Sequence, residues 1–200
     1  MPEFKKEVAL FIDRGTVFDC TITAYGYFGK RGEEYDYWVD EREFFTPYIQ
    51  KIVRERKPRV MMQFDEIYRA KLKTIAAYHK AGGKITLGTD HFSNGEFLPG
   101  FGFHRELDAL VRAGIPSVEV LRIGTINGAK AMKIDTDHGS IEPGKVADLC
   151  IVTGNPLDNI RNTRNVSTVV RAGSIHDSKK LLESVKGKLG PKDKSETTAW

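Results

Sequence analysis

Two β-rich runs on either side of a helical segment constrain this chain most. TVFDCTITAYG, beginning at Thr16, puts Phe18, Cys20, Ile22 and Ala24 on one face of an extended strand and is rich in β-branched residues. KITLGTD, beginning at Lys84, is short and β-rich, as strands buried in parallel sheets are. Between them, residues 65–81 place Leu72, Ile75 and Ala76 on one helical face, with Asp65 positioned as N-cap and Gly82-Gly83 as the stop. Strand, helical crossover, strand is the βαβ unit, whose connection is nearly always right-handed. The chain is therefore expected to be α/β, with parallel pairing at its centre.

The flanking segments extend this pattern. Phe4, Val8, Phe11 and Ile12 predict a helix over 4–14 that stops at Gly15. Phe45, Tyr48, Ile49, Ile52 and Val53 predict another from about residue 41 to before Pro58. Beyond a Gly/Phe-rich loop (93–103), helices are expected over 104–113 and after Pro116, with Ser117 as cap. Near Gly139 the character changes to short strands: 147–153, 166–171 and 174–176, separated by Pro143-Gly144 and Asn155-Pro156. This gives three parts: an α/β region over 1–135, β-strands over 136–177, and a polar, lysine-rich tail over 178–200.

Composition excludes several classes. The 200 residues are 40% hydrophobic and 29% charged, the balance of a soluble globular chain. No uncharged apolar run approaches the roughly 18 residues of a membrane span, and MPEFKKEVALFIDRG, with acids inside its short apolar patch, is not expected to act as a signal peptide. Cys20 and Cys150 imply no disulfide framework. Six lysines between Lys179 and Lys194, against Glu183 and Asp193, carry +4, the whole formal net charge. With no aromatic residue among them to stack on bases, the expectation is a solvated extension and no nucleic-acid partner.

Asp90 is the first candidate for chemistry. It lies just beyond a buried strand, where α/β sheets and barrels keep their active sites. A carboxylate there can hold a divalent metal or act as general base; position alone fits equally an Asp that ends the strand and caps the loop. His91 is a candidate substrate contact, with a solvated loop histidine as the plainer reading. His79, His104, His138 and His176 are scattered, His104 in the first turn of a helix where imidazole can satisfy local backbone. No His-x-His, Cys-x-x-Cys, phosphate loop or nucleophile elbow is present. Nine of the twenty aromatics fall between Tyr25 and Tyr48, where core packing is favoured over a lid or substrate wall.

ITLGTD, HRELDALVRAGIPSVEVLRIGTINGAKAM, GSIEPGKVADLCIVTGNPLDNI and VVRAGSIHD, in that order, resemble the C-terminal part of the metal-dependent amidohydrolases, with imidazolonepropionase-like and Xaa-Pro dipeptidase-like members nearest. The pairing of T-x-N-x-A with G-S-I-x-P-G-K-x-A-D-L is the specific signal, and the likeness covers about 84–177. The resemblance implies a (β/α)8 TIM barrel flanked by a small β-sandwich. Residues 1–135 would supply the barrel's last strands and helices, and 136–177 part of the sandwich. It implies hydrolysis of amide, cyclic amide or peptide-like C–N bonds by a water activated at one or two divalent metal ions, commonly zinc. By that resemblance Asp90 ligates metal, takes the proton of the attacking water and passes it to the leaving nitrogen.

The family's His-x-His, its bridging lysine or glutamate and two further barrel histidines have no counterpart in these 200 residues, and such a barrel typically needs about 250 residues. The chain is accordingly expected to be a C-terminal portion, inactive alone and acting on a small-molecule or peptide-like substrate only with a complementing N-terminal part. The alternative is a non-catalytic remnant or assembly subunit. Unpaired strand edges lead us to expect marginal stability or homo-oligomers. The aromatic insert would suit an apolar or aromatic substrate group, and localisation is not legible.

Overall fold

The computed structural model describes residues 2–28, 41–55, 62–90 and 100–199. In order, the described elements begin with helix α1 (Pro2–Asp13), strand β1 (Val17–Asp19), helix α2 (Thr23–Phe28), helix α3 (Pro47–Glu55), helix α4 (Met62–Lys80) and strand β2 (Lys84–Thr86). Helices α5 (Phe101–Arg112) and α6 (Ser117–Arg122) follow, then a π-helical turn (Ile123–Asn127) and α7 (Gly128–Ala131). Strand β3 (Leu149–Val152), a 3-10 turn (Ile160–Arg164), β4 (Val166–Arg171), β5 (Ser174–Asp177), α8 (Ser178–Val185) and a last 3-10 turn (Lys194–Ala199) complete it.

β1 and β2 pair in parallel, with Phe18 opposite Ile85, as the strand–helix–strand pattern requires. The buried core gathers Cys20 and Ile22 after β1, Tyr68, Ile75 and Tyr78 of α4, Ile85 of β2, Leu107 and Leu110 of α5, and Val120 and Ile123. The junction of α4 with β2 depends on a missing side chain. A Cβ on Gly83 would fall 2.3 Å from the Tyr78 ring, and Tyr78 needs that place because its hydroxyl donates to the Thr16 carbonyl at 2.8 Å.

The paired motifs after α6 serve packing. Cys20 N–H bonds the Thr86 carbonyl toward β1, so the preceding carbonyl, of Ile85, faces the opposite edge, and Asn127 donates its amide to it at 3.1 Å. The side chain thus covers part of an edge that would otherwise be open. Gly139 lies so close to Ala129 and Ile126 that a Cβ would meet the Ala129 methyl at 2.7 Å. Lys145 reaches the Asp135 carbonyl at 2.8 Å and Ser140 Oγ at 2.6 Å. Asp148 accepts from the Ala172 amide at 2.7 Å and pairs with Arg171, fixing the β4–β5 turn. Strands β3, β4 and β5 form an antiparallel sheet in that order.

Several expectations need correction. The first strand ends at Asp19, and Ala24 is helical. Asp65 is not an N-cap: α4 starts at Met62, and Asp65 bonds Arg69 Nε at 2.9 Å within the helix. Pro116 and not Ser117 stands at the α6 N-cap; Ser117 is the first residue of the helix. The six lysines of the tail are exposed as expected, but the tail is not a free extension; it forms α8 and returns to residues 43–46. No described helix is long and apolar enough to cross a membrane.

Candidate functional site at the carboxyl ends of the parallel strands

Asp19 closes β1 and Thr86 closes β2, and their side chains meet: the Thr86 hydroxyl donates to Asp19 Oδ1 at 3.1 Å. The Thr21 hydroxyl donates to the other oxygen, Oδ2, at 2.9 Å. The backbone of Gly88 runs against this carboxylate so closely that a Cβ there would fall 1.9 Å from Oδ2. Asp19 thereby fixes the start of the segment leading to Asp90.

Asp90 lies four residues beyond β2, and its side chain is exposed. Its φ is +47°, and that of Thr21, two residues beyond β1, is +40°. Asp tolerates the left-handed region, but a β-branched threonine seldom enters it. Two such residues at the ends of adjacent parallel strands place backbone strain where α/β proteins commonly carry function.

Beneath these strand ends lies Glu106 of α5, fully buried. Its carboxylate accepts from the Ile22 amide at 2.6 Å, the Thr23 amide at 2.9 Å and the Thr23 hydroxyl at 2.8 Å. Burial pushes its carboxyl above the usual range, and the bonds from Ile22 and Thr23 work in the opposite direction. The Cys20 thiol donates to the Thr86 carbonyl at 3.1 Å. Burial, then the negative Glu106, push that thiol far up, so Cys20 is an inert protonated group.

Sequence reasoning placed Asp90 at this end of the sheet and missed Asp19, Thr21 and Glu106. Asp19 had the same signal as Asp90, an acid closing a β-rich run. Glu106 was visible as an acid on the apolar stripe of Phe103, Leu107 and Leu110. His91 lies outside the described residues, as does the 29–40 part of the aromatic stretch from Tyr25 to Tyr48, of whose described members Tyr25, Phe44 and Phe45 pack in the two cores. His104 does not satisfy local backbone; its Nδ1 is 3.0 Å from the Thr163 hydroxyl, 59 residues away. That hydroxyl gives its proton to the Ile160 carbonyl at 2.8 Å, so the imidazole is the donor.

Among the described residues, no three His, Cys, Asp or Glu side chains converge as metal ligands. Both oxygens of Asp19 are engaged by hydroxyls, and His104 is engaged at Thr163. The described donors do not fit a zinc site, which takes about three protein ligands even when catalytic.

Comparison with known proteins identifies the lineage of this arrangement. A Xaa-Pro dipeptidase structure with bound methionine superposes with a TM-score of 0.62 at 25% identity, covering 86% of this chain and 37% of its own. A putative prolidase from Bifidobacterium longum gives 0.52 at 26%, covering 69% and 35%. Among curated proteins, a 5-methylthioadenosine/S-adenosylhomocysteine deaminase of Teredinibacter turnerae is 35% identical over 89 residues, which are 42% of this chain and 20% of that protein. Adenine deaminase 4 of Rhizobium meliloti is 38% identical over 100 residues, 48% and 15% respectively. The chain therefore spans a fifth or less of these curated relatives. The sequence profile of the amidohydrolase family matches residues 50–176, well over half of the chain, and the chain belongs to that family.

Proposed function

We propose that this chain is the C-terminal part of a metal-dependent amidohydrolase that hydrolyses carbon–nitrogen bonds in a small-molecule or peptide-like substrate. The observation that carries the reading is the place of Asp90, beyond β2 at the carboxyl end of a parallel pair whose strand ends are cross-linked by Asp19 and Thr86. Relatives named as deaminases and a dipeptidase support a C–N bond as the one broken. In this reading residues 1–135 are the last portion of a (β/α)8 barrel, 136–177 belong to a β-sandwich, and 178–200 follow it. Asp90 accepts the proton of the attacking water, the oxygen adds to the carbon, and the C–N bond breaks as the proton passes to nitrogen. Asp90 faces the substrate in this reading, and His91, the next residue in the sequence, is the proposed further substrate contact.

A divalent metal, zinc by family likeness, belongs to the complete enzyme. Its other ligands lie outside the described residues, so the chain alone does not turn over. The same lack of converging donors favours a second reading, a non-catalytic remnant or assembly subunit. The coding region preceding Met1 separates the two. An in-frame segment carrying His-x-His and two further barrel histidines, in a product whose hydrolysis is abolished by Asp90→Asn without loss of fold, supports the enzyme. Absence of such a segment, or full activity in Asp90→Asn, overturns it.

A further inference from the structure

The C-terminal segment returns to the crossover between β1 and β2. The Leu189 amide donates to the Phe44 carbonyl and the Thr46 amide to the Leu189 carbonyl, both at 2.9 Å, a parallel bridge centred on Phe45. On either side, the Gly187 amide donates to the Glu43 carbonyl at 2.9 Å and the Thr46 hydroxyl to the Pro191 carbonyl at 2.5 Å. Lys186 pairs with Glu43 at 2.8 Å. The bridge closes a small second core in which Phe44 and Phe45, each 5% exposed, pack with Ile49, Phe101, Val185 and Leu189. Gly190 passes close enough to Ile49 that a Cβ would meet its Cγ1 at 2.9 Å.

The strap supplies several of the described contacts of the segment it holds. Helix α3 buries no residue. Apart from the strap, the described anchors of 41–55 include the buried Glu41–Arg105 pair and the contact of Phe44 with Phe101, ring centroids 5.6 Å apart. Phe101 and Arg105 lie in the first turns of α5. That helix follows β2, so its N-terminal end is on the side of the strand carboxyl ends.

We propose that residues 186–191 are a strap that sets the position of the crossover segment 41–55, so that the carboxyl terminus controls the order of a wall beside the strand ends. That this wall borders the reacting centre rests on the function proposed above; the strap itself does not. Its consequence is a local equilibrium in which the strap and 41–55 open together while the parallel strands stay closed, as sub-global units do.

Native-state hydrogen exchange on the 200-residue chain tests this. Leu189→Asp and truncation after Val185 should raise exchange at Thr46 and through α3 at least tenfold and leave β1, β2 and β4 unchanged. Thr46→Val, which removes the hydroxyl's bond to the Pro191 carbonyl together with the longer one it accepts from the Ile49 amide, should raise it at least about threefold. Unchanged exchange in α3 with the strap removed, or an equal rise in β1, β2 and β4 in Thr46→Val, overturns the proposal. Because no turnover is read, failure here is distinct from failure of the hydrolase reading.

Discussion

Glu106 and Thr23 are joined twice: one carboxylate oxygen of Glu106 accepts from both the amide, at 2.9 Å, and the hydroxyl, at 2.8 Å, of Thr23. The other oxygen takes the Ile22 amide. A buried side chain of α5 thus receives the backbone donors that a continuing strand would have offered to a neighbouring strand, and the chain turns into α2 instead.

Glu106→Ala would leave these buried donors without an acceptor, at about 1–3 kcal/mol for each unsatisfied group. Urea unfolding should show a loss of about 3 kcal/mol or more. Glu106→Gln, which keeps one acceptor oxygen, should fall between it and the parent chain. Equal stability of all three proteins would contradict the role given to this carboxylate.

Gly88→Ala forces the Asp19 carboxylate aside, since the added methyl would overlap Oδ2. In Asp19→Ala the obstacle is gone, so the cost of the second substitution should largely vanish. A double-mutant cycle by urea unfolding measures this coupling. Additive effects would show that Asp19 does not set the path toward Asp90.

His104 gives the chain an acid-sensitive joint. Burial, followed by the positive Arg164 and Arg105, lowers its pKa from 6.5 to about 4. Between those values the unfolded chain binds the proton and the folded chain does not. The contribution is therefore fully present above pH 6.5 and is lost as pH falls toward about 4. At 1.36 kcal/mol per pKa unit it is on the order of 3 kcal/mol. Urea midpoints from pH 7.5 down to 4.5 should fall more steeply for the parent chain than for His104→Asn; parallel profiles would contradict the assignment.

The sheet of β3, β4 and β5 carries Leu149, Ile151, Val170 and Ile175 in register on one face, with Ile151 55% and Ile175 76% exposed. Such a face promotes association. Sedimentation velocity should show self-association that weakens in the Ile151→Lys, Ile175→Lys double variant. A monomeric parent chain would remove the expectation of oligomers.

The parts legible in the sequence were those whose determinants are local. β4 occupies 166–171 as its β-branched run predicts, and α1 and α4 end at their glycines. The errors arose from distant partners. Residues 22–24 read as strand because Glu106, more than eighty positions away, carries no local signal of its grip on their amides. The return of the lysine-rich tail was hidden because its exposed lysines outweighed Val185 and Leu189, whose partners are Phe44 and Phe45. The place of Asp90 just beyond β2 was legible because it follows from a local β-rich run. Side chains that would meet it from other strands were not, because such groups come from positions far apart in sequence.

Zinc content of the purified chain, measured by elemental mass spectrometry after equilibration with zinc and exhaustive dialysis, tests the central claim most directly. If Asp90 is one carboxylate of a site whose remaining ligands lie elsewhere, the parent chain and Asp90→Asn should both retain no stoichiometric metal. One tightly held zinc per chain, lost in Asp90→Asn, would show that these 200 residues already assemble the site and would contradict the account.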